Sequence, residues 1–79
     1  MRLDKYLKVS RLIKRRTLAN DACEQGRVKI NDRIAKPGAE VKIGDVIEIQ
    51  FGNNITRVEI TQISEHVMKN DAKEMYIIK

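Results

Sequence analysis

The chain has 79 residues, 42% of them hydrophobic and 34% charged, with a net charge of +5 and one cysteine. That length supports one small core and leaves no room for a separate catalytic domain. The lone Cys23 excludes an internal disulfide and a cysteine-rich zinc site, and no apolar run nears the ~18 residues of a membrane span.

Up to Gly26 the apolar pattern is helical, and beyond it the pattern is that of strands. Leu3, Tyr6 and Leu7 place one apolar face on a first helix over residues 3–9. Asp4 sits in its first turn, where the macrodipole favours an acid, and has Lys8 four residues on as an ion-pair candidate. Arg2, Lys5 and Lys8 are expected to project away from the core. Ser10 marks a break, and Leu12 and Ile13 anchor the connection. A second helix is predicted from Arg15–Thr17 to Gln25, with the small residues Ala19, Ala22 and Cys23 on its inner stripe. Gly26 is placed to end it with a positive φ.

Val28 and Ile30 then alternate in a first strand, and Asn31-Asp32 turns the chain into Arg33-Ile34. Lys36-Pro37-Gly38 reads as a loop and Ile43-Gly44-Asp45 as a turn. Val46–Phe51 is a strand, Gly52-Asn53-Asn54 a turn, and residues 55–63 a strand with Val58 and Ile60 on one face. Residues 64–73 are polar and read as a loop before a last strand over residues 75–78. Short turns make the strands antiparallel. The expected fold is α+β: a single domain of two N-terminal helices packed on a small bent antiparallel sheet. Residues 1–51 would form its core motif, and residues 55–79 a C-terminal strand extension.

The charge is lopsided. Residues 1–16 hold seven basic groups against one acid, whereas the other 63 residues hold nine basic and ten acidic groups. A polyanion partner follows from that distribution. Only Tyr6, Phe51 and Tyr76 are aromatic, too few for a base-stacking sheet, so contacts to phosphates, 2′-hydroxyls and shape are expected. The candidate RNA-binding residues are Arg2, Lys5, Lys8, Arg11, Lys14, Arg15 and Arg16. Arginine forks grip phosphate better than the point charge of lysine, so the arginines lead. Asp4 and Thr17 are supporting candidates. Asp4 is expected to accept backbone N–H groups near the helix start or to pair with a basic neighbour, and so to orient an arginine. Thr17 belongs to the start of the second helix and could touch a phosphate.

Other residues read as structural. Cys23 lies on an apolar helical stripe with no histidine or second cysteine to activate it. His66 is the only histidine, is expected on the surface, and makes no metal site alone. Tyr6 is expected half buried, with its hydroxyl able to reach RNA. The four glycines form no phosphate loop. No cofactor and no metal are expected. The chain opens Met1-Arg2-Leu3-Asp4-Lys5 with no apolar leader, so the expected location is cytoplasmic. A DNA-reading second helix would have to present Asp21 and Glu24 to the phosphates, which repel them. A membrane-surface role fails on the short, weakly apolar first helix.

Several landmarks occur in one order over residues 2–51. They are Arg2-Leu3-Asp4 with Leu7, Arg16 with Ala19, the helix end Gln25-Gly26, the strand Arg27-Val28-Lys29-Ile30-Asn31, and the turn Gly44-Asp45-Val46-Ile47. No single landmark is specific, but together they resemble the S-four RNA-binding domain, also called the αL motif. Asp32 departs from the glycine usual after the asparagine, a position where aspartate tolerates the left-handed conformation. The string MRLDKYLKVSRLIKRRT and the ending Met75-Tyr76 are similar to the short stand-alone members of bacterial ribosome quality control. The long basic C-terminal extension of the related heat-shock members is absent from the sequence.

The resemblance implies a binding factor and not an enzyme. Its partners would be large-subunit rRNA and P-site tRNA on a free large ribosomal subunit that still carries peptidyl-tRNA. There it would support untemplated C-terminal alanine tailing with RqcH, and it would be a monomer off the ribosome. The alternatives are a heat-shock-type recycling factor for the same particle and a generic structured-RNA binder. The family's domain also occurs fused to rRNA pseudouridine synthases and tyrosyl-tRNA synthetases, whose catalytic domains this chain is too short to hold.

Overall fold

Leu3, Tyr6 and Leu7 are all fully buried on the inner face of helix α1 (Leu3–Val9), as their spacing requires. The computed structural model describes residues 1–65 and 67–79, with backbone only for Lys69, Asn70 and Lys73. His66, expected on the surface, lies outside the described residues. The first N–H groups of α1 do not meet solvent. Those of Leu3 and Asp4 donate to the carbonyls of Ala39 (2.8 Å) and Pro37 (3.1 Å), and an antiparallel bridge joins Arg2 to Glu40. The helix stops at the buried Ser10, whose hydroxyl donates to the Leu7 carbonyl at 3.3 Å. Arg11 follows in the left-handed region with φ 63°.

Helix α2 (Arg16–Glu24) buries Ala19 and Cys23 and packs on α1. Small side chains on that stripe allow the close approach. Gly26 ends it with φ 74°, as expected. Its N–H donates to the Cys23 carbonyl and that of Arg27 to the Ala22 carbonyl, each at 3.0 Å, which satisfies two orphan carbonyls of the last turn.

Five antiparallel strands form one sheet: β1 (Val28–Ile30), β2 (Arg33–Ile34), β3 (Val46–Phe51), β4 (Asn54–Ile60) and β5 (Tyr76–Ile78), in the order β2-β1-β3-β4-β5. Asn31 (φ 50°) and Asp32 (φ 68°) make the two-residue turn between β1 and β2 that pairs Ile30 with Arg33. The Asn31 side chain fastens this hairpin to β3: its oxygen accepts the Val46 N–H at 3.0 Å and its amide donates to Asp45 at 3.1 Å. Val28, Ile47, Ile49, Val58 and Ile60 turn one sheet face to the helices and complete a core with Leu3, Tyr6, Leu7, Cys23 and Met75.

The C-terminal third departs from expectation. β4 ends at Ile60 instead of continuing to residue 63, because Thr61 and Gln62 both turn their N–H groups to the Met75 carbonyl, at 2.8 and 3.2 Å. Residues 69–75 form a 3₁₀ helix within the stretch read as a loop, with Ala72 and Met75 buried at its three-residue repeat. Met75 therefore closes this helix and does not open the last strand. Tyr6 is fully buried, and its hydroxyl donates to the Met75 carbonyl at 2.7 Å, so it is unavailable to RNA.

Replacing Asp32 by glycine removes a side chain from a left-handed position while losing only an exposed 3.6 Å contact to Arg57. Thermal melts of Asp32→Gly should show a gain of about 0.5–1 kcal/mol, roughly 2–8 °C in Tm. An unchanged or lowered Tm would show that this turn carries no strain.

Candidate nucleic-acid interface

Five of the seven basic residues of the N-terminal segment fall into two groups, and Asp4 organises the first. Its carboxylate is 3% exposed and lies where α1 meets α2. Oδ2 accepts from Arg2 Nη2 at 3.2 Å and from the Asn20 amide at 3.4 Å. Oδ1 accepts from the Lys5 backbone N–H at 2.8 Å and from Arg16 Nη2 at 3.5 Å. Asp4 thus joins the two arginines that lead the sequence-based candidates, although they stand fourteen positions apart. No ion pair forms to Lys8 among the described residues. Lys8 is exposed on the outer side of α1, while the Asp4 side chain turns inward to α2.

Burial opposes ionisation of Asp4. The Asn20 hydrogen bond, the Arg16 charge, the Lys5 N–H and the Arg2 charge outweigh it and hold the carboxyl below its ordinary value. The arginine side chains remain 53% and 48% exposed. Water screens such pairs, so they contribute placement more than stability. Each guanidinium gives one N–H to Asp4 and keeps four for a ligand. Beside them, Arg16, Thr17, Asn20 and Asp21 line a shallow recess of about 280 Å³ that Asp4 floors. Thr17 is exposed there, in the first turn of α2. Asn20 was not singled out for this site from the sequence; its signal is the four-residue step from Arg16, which stacks the two on one helix face.

The second group lies at the other end of α1. Lys8, Arg11 and Lys14 line a groove of about 350 Å³ together with Val9, Glu65, Val67 and Met68. Arg15 is exposed at the N-cap of α2 and lines neither the recess nor the groove. Lys5 leans the other way and pairs with Glu65 at 3.1 Å, which neutralises part of its charge. The sheet's outer face contrasts with this segment. There Lys29 and Arg57 flank Glu48, each at 3.8 Å, and Lys79 meets Glu59 at 2.8 Å. Cations paired in this way draw a polyanion weakly.

The one cysteine offers no ready nucleophile. Cys23 is buried, and its thiol is pushed up to about 11 by burial first and then by the Asp4 and Glu24 charges, so it stays protonated at neutral pH. Among the described residues no group of His, Cys, Asp and Glu could hold a metal ion. No helix among them is long and apolar enough to cross a membrane.

Two short helices on a small antiparallel sheet, with the basic residues at the helix ends, place the chain in a known class. The S4 domain family model matches residues 1–47, and the chain belongs to that family. A relative from Halalkalibacterium halodurans is 56% identical over 79 residues, spanning 100% of this chain and 90% of its own length. One from Bacillus subtilis is 47% identical over 78 residues, spanning 99% of this chain and 91% of its own length. Both carry the name RQC P-site tRNA stabilizing factor. The solved structure of heat shock protein 15 from Vibrio cholerae, described as trimeric, matches with a TM-score of 0.92 at 34% identity, covering 100% of this chain and 81% of that one.

A carboxylate whose pKa is lowered in the folded state stabilises that state above its unfolded pKa, and the contribution fades as pH falls through the folded value. Urea midpoints measured from neutral pH down to below the ordinary carboxylate range should therefore fall for the wild type. Asp4→Asn turns an NH₂ group toward one of the donors now bound. It should cost about 1–2 kcal/mol at neutral pH and flatten the acid limb. An acid limb identical in both proteins would remove Asp4 from this role.

Proposed function

We propose that this protein acts in ribosome quality control as a non-catalytic RNA-binding factor. It binds the free large ribosomal subunit that holds a stalled peptidyl-tRNA, contacts large-subunit rRNA and the P-site tRNA, and supports untemplated alanine tailing with RqcH in the cytoplasm. The observation that carries the reading is the pair Arg2 and Arg16, held side by side on the buried Asp4 in the most basic part of the chain. The name shared by relatives of 47–56% identity supports the tRNA as a partner.

In this reading the work is positional. The Asp4 carboxylate draws the two guanidinium groups together, and each presents its remaining N–H donors to phosphate oxygens in forked pairs. Lys8, Lys14, Arg11 and Arg15 add screened attraction, and Lys5 adds less because Glu65 shares its charge. Thr17 offers a hydroxyl beside Arg16. A tRNA gripped at two fixed points leaves more slowly, and a tail added one residue at a time needs the acceptor held through each cycle. Tight binding with no chemistry is sufficient for that task, and the chain acts as a single unit in it, as a monomer away from the ribosome.

Sedimentation of tagged protein from a stalled-translation lysate tests the reading. Wild type should travel with free large subunits that carry peptidyl-tRNA, and Arg2→Ala and Arg16→Ala should each reduce that fraction roughly three- to tenfold. The salt slope of binding should fall by about 0.7–0.9 for each arginine removed. Equal spread over small subunits, or protein left at the top of the gradient, would overturn the proposal. The likeness to heat shock protein 15 favours one second reading, recycling of the same particle after heat shock. Loss of alanine tails in cells lacking the gene separates the two.

A further inference from the structure

The groove at the far end of α1 is built differently from the Asp4 site. It holds about 350 Å³, near the lower end of volumes that accept small ligands. Lys8, Arg11 and Lys14 bring three positive charges to it. Val9, Val67 and Met68 bring an apolar surface, and the one acid lining it, Glu65, pairs with Lys5. Met68 is 75% exposed, an unusual state for a thioether side chain lying beside cations. Positive charge around an apolar floor suits a group that is anionic at one end and flat and apolar at the other.

Arg11 supplies a second, independent observation. It occupies the left-handed position just after α1, with φ 63°, where helices favour glycine because a Cβ is strained. Its N–H donates to the Lys8 carbonyl at 3.1 Å, a contact that glycine would make equally well. Its side chain is exposed, and no carboxylate pairs with it among the described residues. Nothing among the described residues repays the strained side chain, which points to a return from a ligand.

We propose that this groove binds one unstacked nucleotide of single-stranded RNA. The phosphate sits on Arg11 with Lys8 and Lys14, and the base lies on Val9, Val67 and Met68. The inference rests on the RNA-binding reading and adds a base contact to it. Arg11 lies on the order of 10 Å along α1 from Asp4, so the groove is a site separate from the arginine pair. Aliphatic and thioether carbons replace the aromatic rings that this chain lacks, and such a floor accepts any base.

The test is a titration of protein carrying labelled valine and methionine methyls. The probes are a single-stranded hexamer of adenylate and, as a polyanion without bases, polyphosphate. The hexamer should move the methyls of Val9, Val67 and Met68, and polyphosphate should leave them in place. Arg11→Gly should keep or raise Tm while weakening the hexamer roughly three- to tenfold. Equal methyl shifts with both probes would reduce the groove to a cation cluster, and unmoved methyls would remove the base contact. A lowered Tm for Arg11→Gly would show that the arginine serves the fold. Each of these three results leaves the sedimentation of Arg2→Ala and Arg16→Ala to decide the broader reading on its own.

Discussion

A carboxylate buried between two helices is the constraint on which the rest of this structure turns. An ionised group taken out of water costs several kcal/mol unless it is fully satisfied. Asp4 meets that demand with four donors drawn from α1, α2 and the chain just before α1. The angle at which α2 meets α1 must bring Asn20 and Arg16 to it, and the small Ala19 and Cys23 allow the approach. Its own N–H is bound to Pro37, so the loop before β3 is tied to the same point. The same residue that fixes the helices therefore fixes two guanidinium groups at the surface.

That surface is only as firm as α1, and a seven-residue helix has little stability of its own. Tertiary contacts hold it at its start and at its middle. The loop 37–39 takes up its first N–H groups, and the side chain of Tyr6 reaches across the core to the carbonyl of Met75. Residues 55–79 thus do more than complete the sheet. The 3₁₀ helix and β5 place one carbonyl where Tyr6, Thr61 and Gln62 all converge on it. The distant C-terminal third supports the helix that carries the N-terminal charge.

These through-space contacts mark the limit of what the chain shows in linear form. Periodicity makes α1, α2, β1, β3 and most of β4 legible, and Gly26, Asn31-Asp32 and Gly44 mark their ends by local backbone rules. The excess of positive charge in residues 1–16 is plain from counting. The partner of Asp4 is not, because spacing offers Lys8 at one helical turn, while packing brings in residues twelve and sixteen positions away. The full burial of Tyr6 is hidden for the same reason: its hydroxyl is satisfied by a carbonyl sixty-nine positions on. The 3₁₀ helix escapes because, among its described side chains, only Ala72 and Met75 are buried in an otherwise polar stretch, too few for a period.

The division of the basic residues into a fixed pair and a looser set has a consequence for recognition. A long cationic side chain that is already held loses less freedom when it meets a ligand, whereas a free one gives up much of what it gains. Arg2 and Arg16 are held in advance by Asp4, so on the proposed reading they report the spacing of two phosphates. Lys8, Lys14 and Arg15 have no such partner among the described residues, so apart from the proposed groove contact they add attraction that salt screens and that any polyanion satisfies. On the proposed reading, discrimination between one RNA shape and another comes from two of the seven cations, while the remainder govern how fast and at what salt the complex forms. Losing a lysine and losing Asp4 would then differ in kind. The first lowers affinity for every RNA alike, and the second leaves the charge count more positive but frees the two side chains that distinguish the correct RNA from the rest.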